Sequence, residues 1–187
     1  MPNSFIISHI HNKSIGHTLV LDKESAYWIN KLNLQKHPEG GYFMESYKSE
    51  ELVNMSKYDE PRHVCTAIYY LLTGDDFSSF HIMKSDEIWH FYLGSSLTLY
   101  IIEPNGRLRQ VRLGHDIDKG NTIQATVKSG CWFAAAVDIH NSYSLVGCTV
   151  SPGFDYKDWK LGDMKTLTKL FPQHKTLITK YTRPSYL

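Results

Sequence analysis

The spacing of apolar positions changes once along this chain. From Lys23 to Leu34, Ala26, Ile29 and Leu32 recur at helical intervals, and Asp22 stands where an N-cap accepts backbone N–H bonds. A helix is predicted there. His37-Pro38-Glu39-Gly40-Gly41 ends it, because proline disfavours helix in the residue before it and the two glycines accept positive φ in a tight turn. From Tyr42 onward the period shortens to two. Short β-type runs fall near 42–48, 63–72, 77–83, 86–93, 96–103, 108–113, 121–127, 131–137 and 142–150. Turn residues such as Gly74-Asp75-Asp76, Gly94-Ser95-Ser96 and Ser129-Gly130 separate them, and Asn105-Gly106 predicts a type I′ hairpin. Asp163 then caps a helix whose Met164, Leu167, Leu170 and Phe171 form one apolar stripe before Pro172. Phe5-Ile6-Ile7 and Thr18-Leu19-Val20-Leu21 offer further edge strands. The fold class expected is an all-β body of the sandwich or barrel kind, with one N-terminal and one C-terminal helix.

Composition narrows the classes. At 187 residues, 42% hydrophobic and 21% charged, the chain reads as one globular domain over 1–187, with a core of about 24–165 and peripheral segments 1–21 and 172–187. A net charge of +1 gives no basis for neutralising phosphates, so no nucleic-acid partner is expected, and the basic run Lys175–Arg183 reads as a solvated end. Cys65, Cys131 and Cys148 lack C-x-x-C spacing, which argues against a disulfide framework or a structural zinc site and favours buried reduced thiols. The N-terminal residues lack a basic region followed by an apolar core, and no run approaches the roughly 18 apolar residues of a membrane span. A cytoplasmic protein without a membrane partner is expected. No G-x-S-x-G, Walker or H-E-x-x-H pattern occurs, which removes the common hydrolases, P-loop NTPases and zincins.

Candidate chemistry gathers between Phe80 and Gly94. The pattern predicts two strands joined by a tight turn at Met83–Asp86, with Ser85 and Asp86 bonding their own backbone. His81 and Met83 share one face, as do Glu87, Trp89 and Phe91, and a hairpin would bring the two faces together. Imidazole, carboxylate and indole on one concave surface suit a small polar ligand. Phe133 and Trp132 add flat apolar surface, and Glu45 is a charge inside an apolar strand. Tyr70 and Tyr143 lie in strands that can reach the interior. His90, three residues after Glu87, should point to the opposite face.

These residues resemble the cupin superfamily. His81, Glu87 and Gly94 match its first signature, with Met83 standing where a second histidine belongs. Lys128-Ser129-Gly130-Cys131-Trp132-Phe133 echoes the second, with Lys128 for its proline and Phe133 for its histidine. His37-Pro38-Glu39-Gly40-Gly41-Tyr42, Ile68–Leu72, Ser85–Phe91 and Val146–Phe154 resemble a small single-domain cupin family long catalogued as a domain of unknown function. The resemblance covers about residues 24–165. It implies a double-stranded β-helix, or jelly roll, usually a homodimer, similar to the dTDP-sugar epimerase type.

Cupin metal sites typically use three histidines and a glutamate, of which only His81 and Glu87 stand here in matching positions. No cofactor is therefore expected, a divalent transition metal on His81 and Glu87 being the weaker alternative. The jelly-roll epimerases use a histidine base and a tyrosine acid. That implies His81 as base, Glu87 as its partner and Tyr143 as the acid, with Tyr70 equally placed, in a metal-independent isomerase or epimerase acting on a sugar- or nucleotide-like metabolite. Glu45, Tyr70, Met83, Trp89, Phe91, Trp132 and Phe133 are the expected ligand contacts. A metal-dependent oxygenase or lyase and a non-catalytic sensor or storage protein are the alternatives.

Overall fold

The computed structural model describes residues 23–183; the expected edge strands at 5–7 and 18–21 and the Asp22 cap lie outside the described residues. Helix α1 (Lys23–Lys31) leads into β1 (Gln35–Lys36), β2 (Tyr42–Lys48), β3 (Leu52–Val53), β4 (Arg62–His63), β5 (Thr66–Thr73) and β6 (Phe77–Met83). There follow β7 (Asp86–Gly94), β8 (Leu97–Ile102), β9 (Leu108–Leu113), β10 (Gln124–Val127), β11 (Trp132–Val137), β12 (Tyr143–Ser151) and β13 (Trp159–Leu161). Helices α2 (Met164–Leu170) and α3 (Lys175–Lys180) close the described chain. One sheet has the order β1-β2-β5-β12-β7-β10 and the other β13-β6-β11-β8-β9, while β3 and β4 pair separately. The alternating inner residues of both, among them Trp89, Leu97, Leu99, Ile101, Phe133 and Val146, form one core between the layers. This is an antiparallel jelly-roll sandwich whose sheets keep open edges.

Strand positions follow the period-two pattern closely; the connections do not. β6 and β7 are not a hairpin: they lie in opposite sheets, and Lys84-Ser85 is a corner between them. Neighbouring segments hold that corner instead of its own backbone. Ser85 Oγ meets the Tyr58 hydroxyl at 2.7 Å, and the Asp86 carboxylate accepts from Lys128 Nζ at 2.7 Å and Ser129 N at 2.8 Å. Alternation still aims His81 and Met83 from one sheet, and Glu87 and Trp89 from the other, at the same interior space. The β8–β9 turn also differs from type I′. Pro104 fixes a negative φ, only Gly106 takes a positive one (φ 83), and Gly106 N donates to Glu103 O at 2.8 Å.

Each sheet carries helix on its outer face. Trp28, Ile29 and Leu32, on α1 and just after it, cover Leu71, Tyr143 and Leu145 of the larger sheet. Asp163 caps α2 through Thr166 N at 2.8 Å. The tail read as a solvated end is a third helix: Ile178 (0% exposed) and Tyr181 pack with Leu167 on Phe80, Ile102 and Ala134 of the smaller sheet. Among the described residues no helix is long and apolar enough to cross a membrane.

Candidate functional site

A cavity of about 140 Å³ lies between the sheets, lined by residues of β2, β5, β6, β7, β12 and β13 and of the segments 37–39 and 154–156. The turn His37–Gly41 supplies its central carboxylate. His37 N donates to Gly41 O at 3.1 Å, Gly40 N donates to His37 O at 3.0 Å, and Gly40 and Gly41 take φ of 120° and 69°. This geometry drives Glu39 inward until 6% of it remains exposed. Its Oε1 accepts from Ser78 Oγ at 2.8 Å and its Oε2 from Trp159 Nε1 at 3.2 Å. Oε2 also stands 3.3 Å from Nδ1 of His81 and 3.7 Å from Nδ1 of His37.

The second carboxyl, Glu87, is placed differently. It is buried, and its Oε2, like Nε1 of Trp89, has no hydrogen-bond partner among the described residues. Burial, reinforced by the charge of Glu39, pushes the Glu87 carboxyl up to about 8. Burial would also push Glu39 up, but the His81 and His37 imidazoles and the bonds from Ser78 and Trp159 outweigh it and hold that carboxyl below its ordinary value. The two carboxyls of one cavity are thus driven in opposite directions. Burial lowers His37, against the opposing charge of Glu39.

The His81 ring is held at Nδ1 and on one face. Nδ1 lies 2.8 Å from Ser79 O, and since a carbonyl only accepts, Nδ1 carries the proton. In the neutral ring Nε2 is then the basic nitrogen, and no described residue hydrogen-bonds it. Phe133, opposite His81 in the β6–β11 register, lays its ring against the imidazole with centroids 3.9 Å apart.

Among the residues singled out from sequence, His81, Glu87, Glu45, Tyr70, Met83 and Trp89 line the cavity together. Tyr70 contributes only its ring, because its hydroxyl donates to Gly40 O at 2.8 Å. The other four lie elsewhere. Phe133 is beneath His81, and Phe91 packs deeper against His115 with ring centroids 4.8 Å apart. Trp132 alternates to the far side of β11 and joins the core under α2 and α3. Tyr143 lies under α1, its hydroxyl accepting from Trp28 Nε1 at 3.1 Å and donating to Glu24 at 3.2 Å. His90 points away from the cavity and meets Thr149 Oγ1 at 3.1 Å. Sequence reasoning missed His37, Glu39 and Trp159. Two ionisable groups flanking Pro38 were the available signal for the first two.

The family model described as Cupin superfamily (DUF985) matches residues 26–162. The chain belongs to the cupin superfamily. It is 30% identical over 144 residues to the uncharacterized protein YML079W of Saccharomyces cerevisiae, covering 70% of this chain and 71% of that protein. Among solved structures it resembles protein SO0799 from Shewanella oneidensis, at 40% identity and TM-score 0.78 over 85% of this chain and 97% of that one. A hypothetical protein from Leishmania major is 35% identical, with TM-score 0.80 over 85% and 98% of the two chains. Oxalate decarboxylase from Bacillus subtilis shares the fold alone, at 14% identity and TM-score 0.51, covering 79% of this cupin and 37% of the decarboxylase.

A cupin-type metal ion does not fit these residues. Met83 offers a thioether and Phe133 no donor where the signatures have imidazoles, and hard or borderline divalent ions gain little from a thioether. Among the described residues no group of three His, Cys, Asp or Glu side chains is placed to hold an ion.

Proposed function

We propose that this cupin binds a small uncharged metabolite and moves a proton on it without a metal. In this reading His81 is the base, Glu39 the carboxylate that orients it, and Glu87 the acid. The observation that carries the reading is the arrangement of the two carboxyls in one cavity. Glu39 Oε2 stands 3.3 Å from Nδ1 of His81, while Glu87 is buried with its Oε2 unbonded among the described residues, and their surroundings push Glu39 down and Glu87 up to about 8. Titratable groups whose environments drive them apart mark acid and base assignments. Nε2 of His81 takes a proton from the carbon beside a carbonyl, and Glu87 gives its proton to the carbonyl oxygen, leaving an enol. From a 2-hydroxy carbonyl compound this enol is an enediol. His81 returns its proton to the former carbonyl carbon while the Glu87 carboxylate recovers one from the neighbouring hydroxyl, which gives the isomer and restores both groups. Glu87 replaces the tyrosine acid expected from sequence, because Tyr143 lies outside the cavity and the Tyr70 hydroxyl is spent on Gly40.

Charge and size support the substrate class. No Lys or Arg is among the described lining residues, whereas Glu39 and Glu45 are, so phosphates and dicarboxylates are disfavoured. A space of about 140 Å³ takes one ring, and Tyr70, Trp89, Phe154 and Trp159 give it flat apolar walls. For a sugar- or nucleotide-like molecule, the ring alone would enter. Ligand-observed NMR with cyclohexanone and a free pyranose, against oxalate and inorganic phosphate, tests this. The neutral rings should bind, and the cavity-filling Val150→Phe should remove the signal. Binding of the anions alone, or neutral binding that persists in Val150→Phe, would sink the reading.

A further inference from the structure

The turn that carries Glu39 is gripped from behind by the end of the described chain. After α3, residues 181–183 run beside β6: Phe80 N donates to Tyr181 O at 2.9 Å, and Arg183 N donates to Ser79 Oγ at 3.2 Å. This delivers the Arg183 guanidinium to the back of the His37–Gly41 turn. Its Nε donates to the Glu39 carbonyl at 3.2 Å and its Nη2 to Phe77 O at 2.7 Å, while the Phe77 ring lies 4.2 Å beneath it. Nη2 also bonds Asp76 Oδ1. Asp76 grips the same turn at its other end, Oδ2 accepting from Gly41 N at 2.9 Å. The side chain is stripped at residue 40 to make room: a Cβ on Gly40 would collide with Phe77 O and Arg183 Nη2. Arg183 lies beyond residue 162, where the family match ends.

We propose that Arg183 is a positioning residue of the cavity: anchored on Asp76, it fixes the Pro38–Gly41 turn and so aims the Glu39 carboxylate at His81. The tail is then part of the site's machinery although none of residues 181–183 lines the cavity. A planar fork is suited to this task, because it reaches a carboxylate and two carbonyls at once where an ammonium would satisfy them one at a time. The inference rests on Glu39 as the orienting carboxylate of the proposed function, but its test is read on ligand-free protein and needs no turnover.

The reporter is the indole of Trp159, whose Nε1–H donates to Glu39 Oε2 at 3.2 Å. Four tryptophans give four indole N–H signals in a ¹⁵N-labelled full-length chain, and Trp159→Phe assigns the relevant one. Arg183→Ala should cost this signal its hydrogen-bonded shift and its protection from solvent exchange. Arg183→Lys should restore part of both. Leu167→Ala, which lowers Tm by opening the core under α2, should leave the signal where it is in the wild type. An unmoved Trp159 signal in Arg183→Ala would overturn the proposal and reduce Arg183 to a surface tie. Should Arg183→Ala fail to fold, Arg183→Gln and Arg183→Lys carry the same comparison, and wild-type signals in both would equally overturn it. Failure of the ligand experiments with a displaced Trp159 signal would overturn the functional reading alone.

Discussion

Replacing Glu87 with glutamine should make the protein more stable, and increasingly so as pH rises. A glutamate at this position carries a folded-state value of about 8 against an ordinary 4.5. Below about pH 4.5 the carboxyl is protonated in both states and costs nothing. Between the two values the unfolded chain releases a proton that the folded chain retains, so stability falls with rising pH until Glu87 ionises in place near pH 8. At about 1.4 kcal/mol per pH unit, that interval amounts to on the order of 5 kcal/mol. Glutamine keeps the shape of the protonated acid and removes the titration. Urea unfolding of the wild type and Glu87→Gln at pH 5, 7 and 9 isolates the effect, since the other titrating groups are common to both. The stability difference should be small at pH 5 and grow by several kcal/mol by pH 9. A difference that stays flat over this range would mean that Glu87 is already ionised in the fold, and its role as acid would go with it.

The opposite limb belongs to Glu39. Its depressed carboxyl contributes stability that is present above its ordinary value and is lost as pH falls through its folded value, so Glu39→Gln should flatten the acid arm of a circular-dichroism pH titration. Ile178→Ala should cost about 2–5 kcal/mol in urea unfolding, because it opens a fully buried site; a solvated tail would lose less than about 0.5. Tyr143→Phe should cost about 1 kcal/mol through the hydroxyl shared with Trp28 and Glu24 and leave ligand binding unchanged, whereas loss of binding would return Tyr143 to the site. Met83→His combined with Phe133→His should retain stoichiometric divalent metal by elemental analysis while the wild type does not; equal metal in both would refute the view that these two residues exclude the ion.

The strands were legible because one face of each is buried, which forces a period of two onto the sequence. His81 and Glu87 were legible for the same reason, together with their match to the first cupin signature. Their relationship was not. A two-residue connection reads alike whether it folds a hairpin or turns a corner between sheets, and tertiary contacts from Tyr58, Lys128 and Ser129 decide the matter. Glu39 was read as part of a helix stop because Pro38, Gly40 and Gly41 explain the turn without it. Its role depends on His81, Ser78 and Trp159, up to 120 positions away in sequence. The tail was obscured by its lysines, since α3 and the residue after it bury only Ile178 and Tyr181.

Metal-free proton transfer is tested most directly by hydrogen exchange at carbon. EDTA-treated protein in D₂O, incubated with a panel of aldoses, ketoses and small cyclic ketones, should place deuterium beside the carbonyl of at least one, as read by ¹H NMR. His81→Ala should slow that exchange by about 10²–10⁴-fold. No exchange across the panel, or exchange that appears only when a divalent metal is added back, would contradict the account.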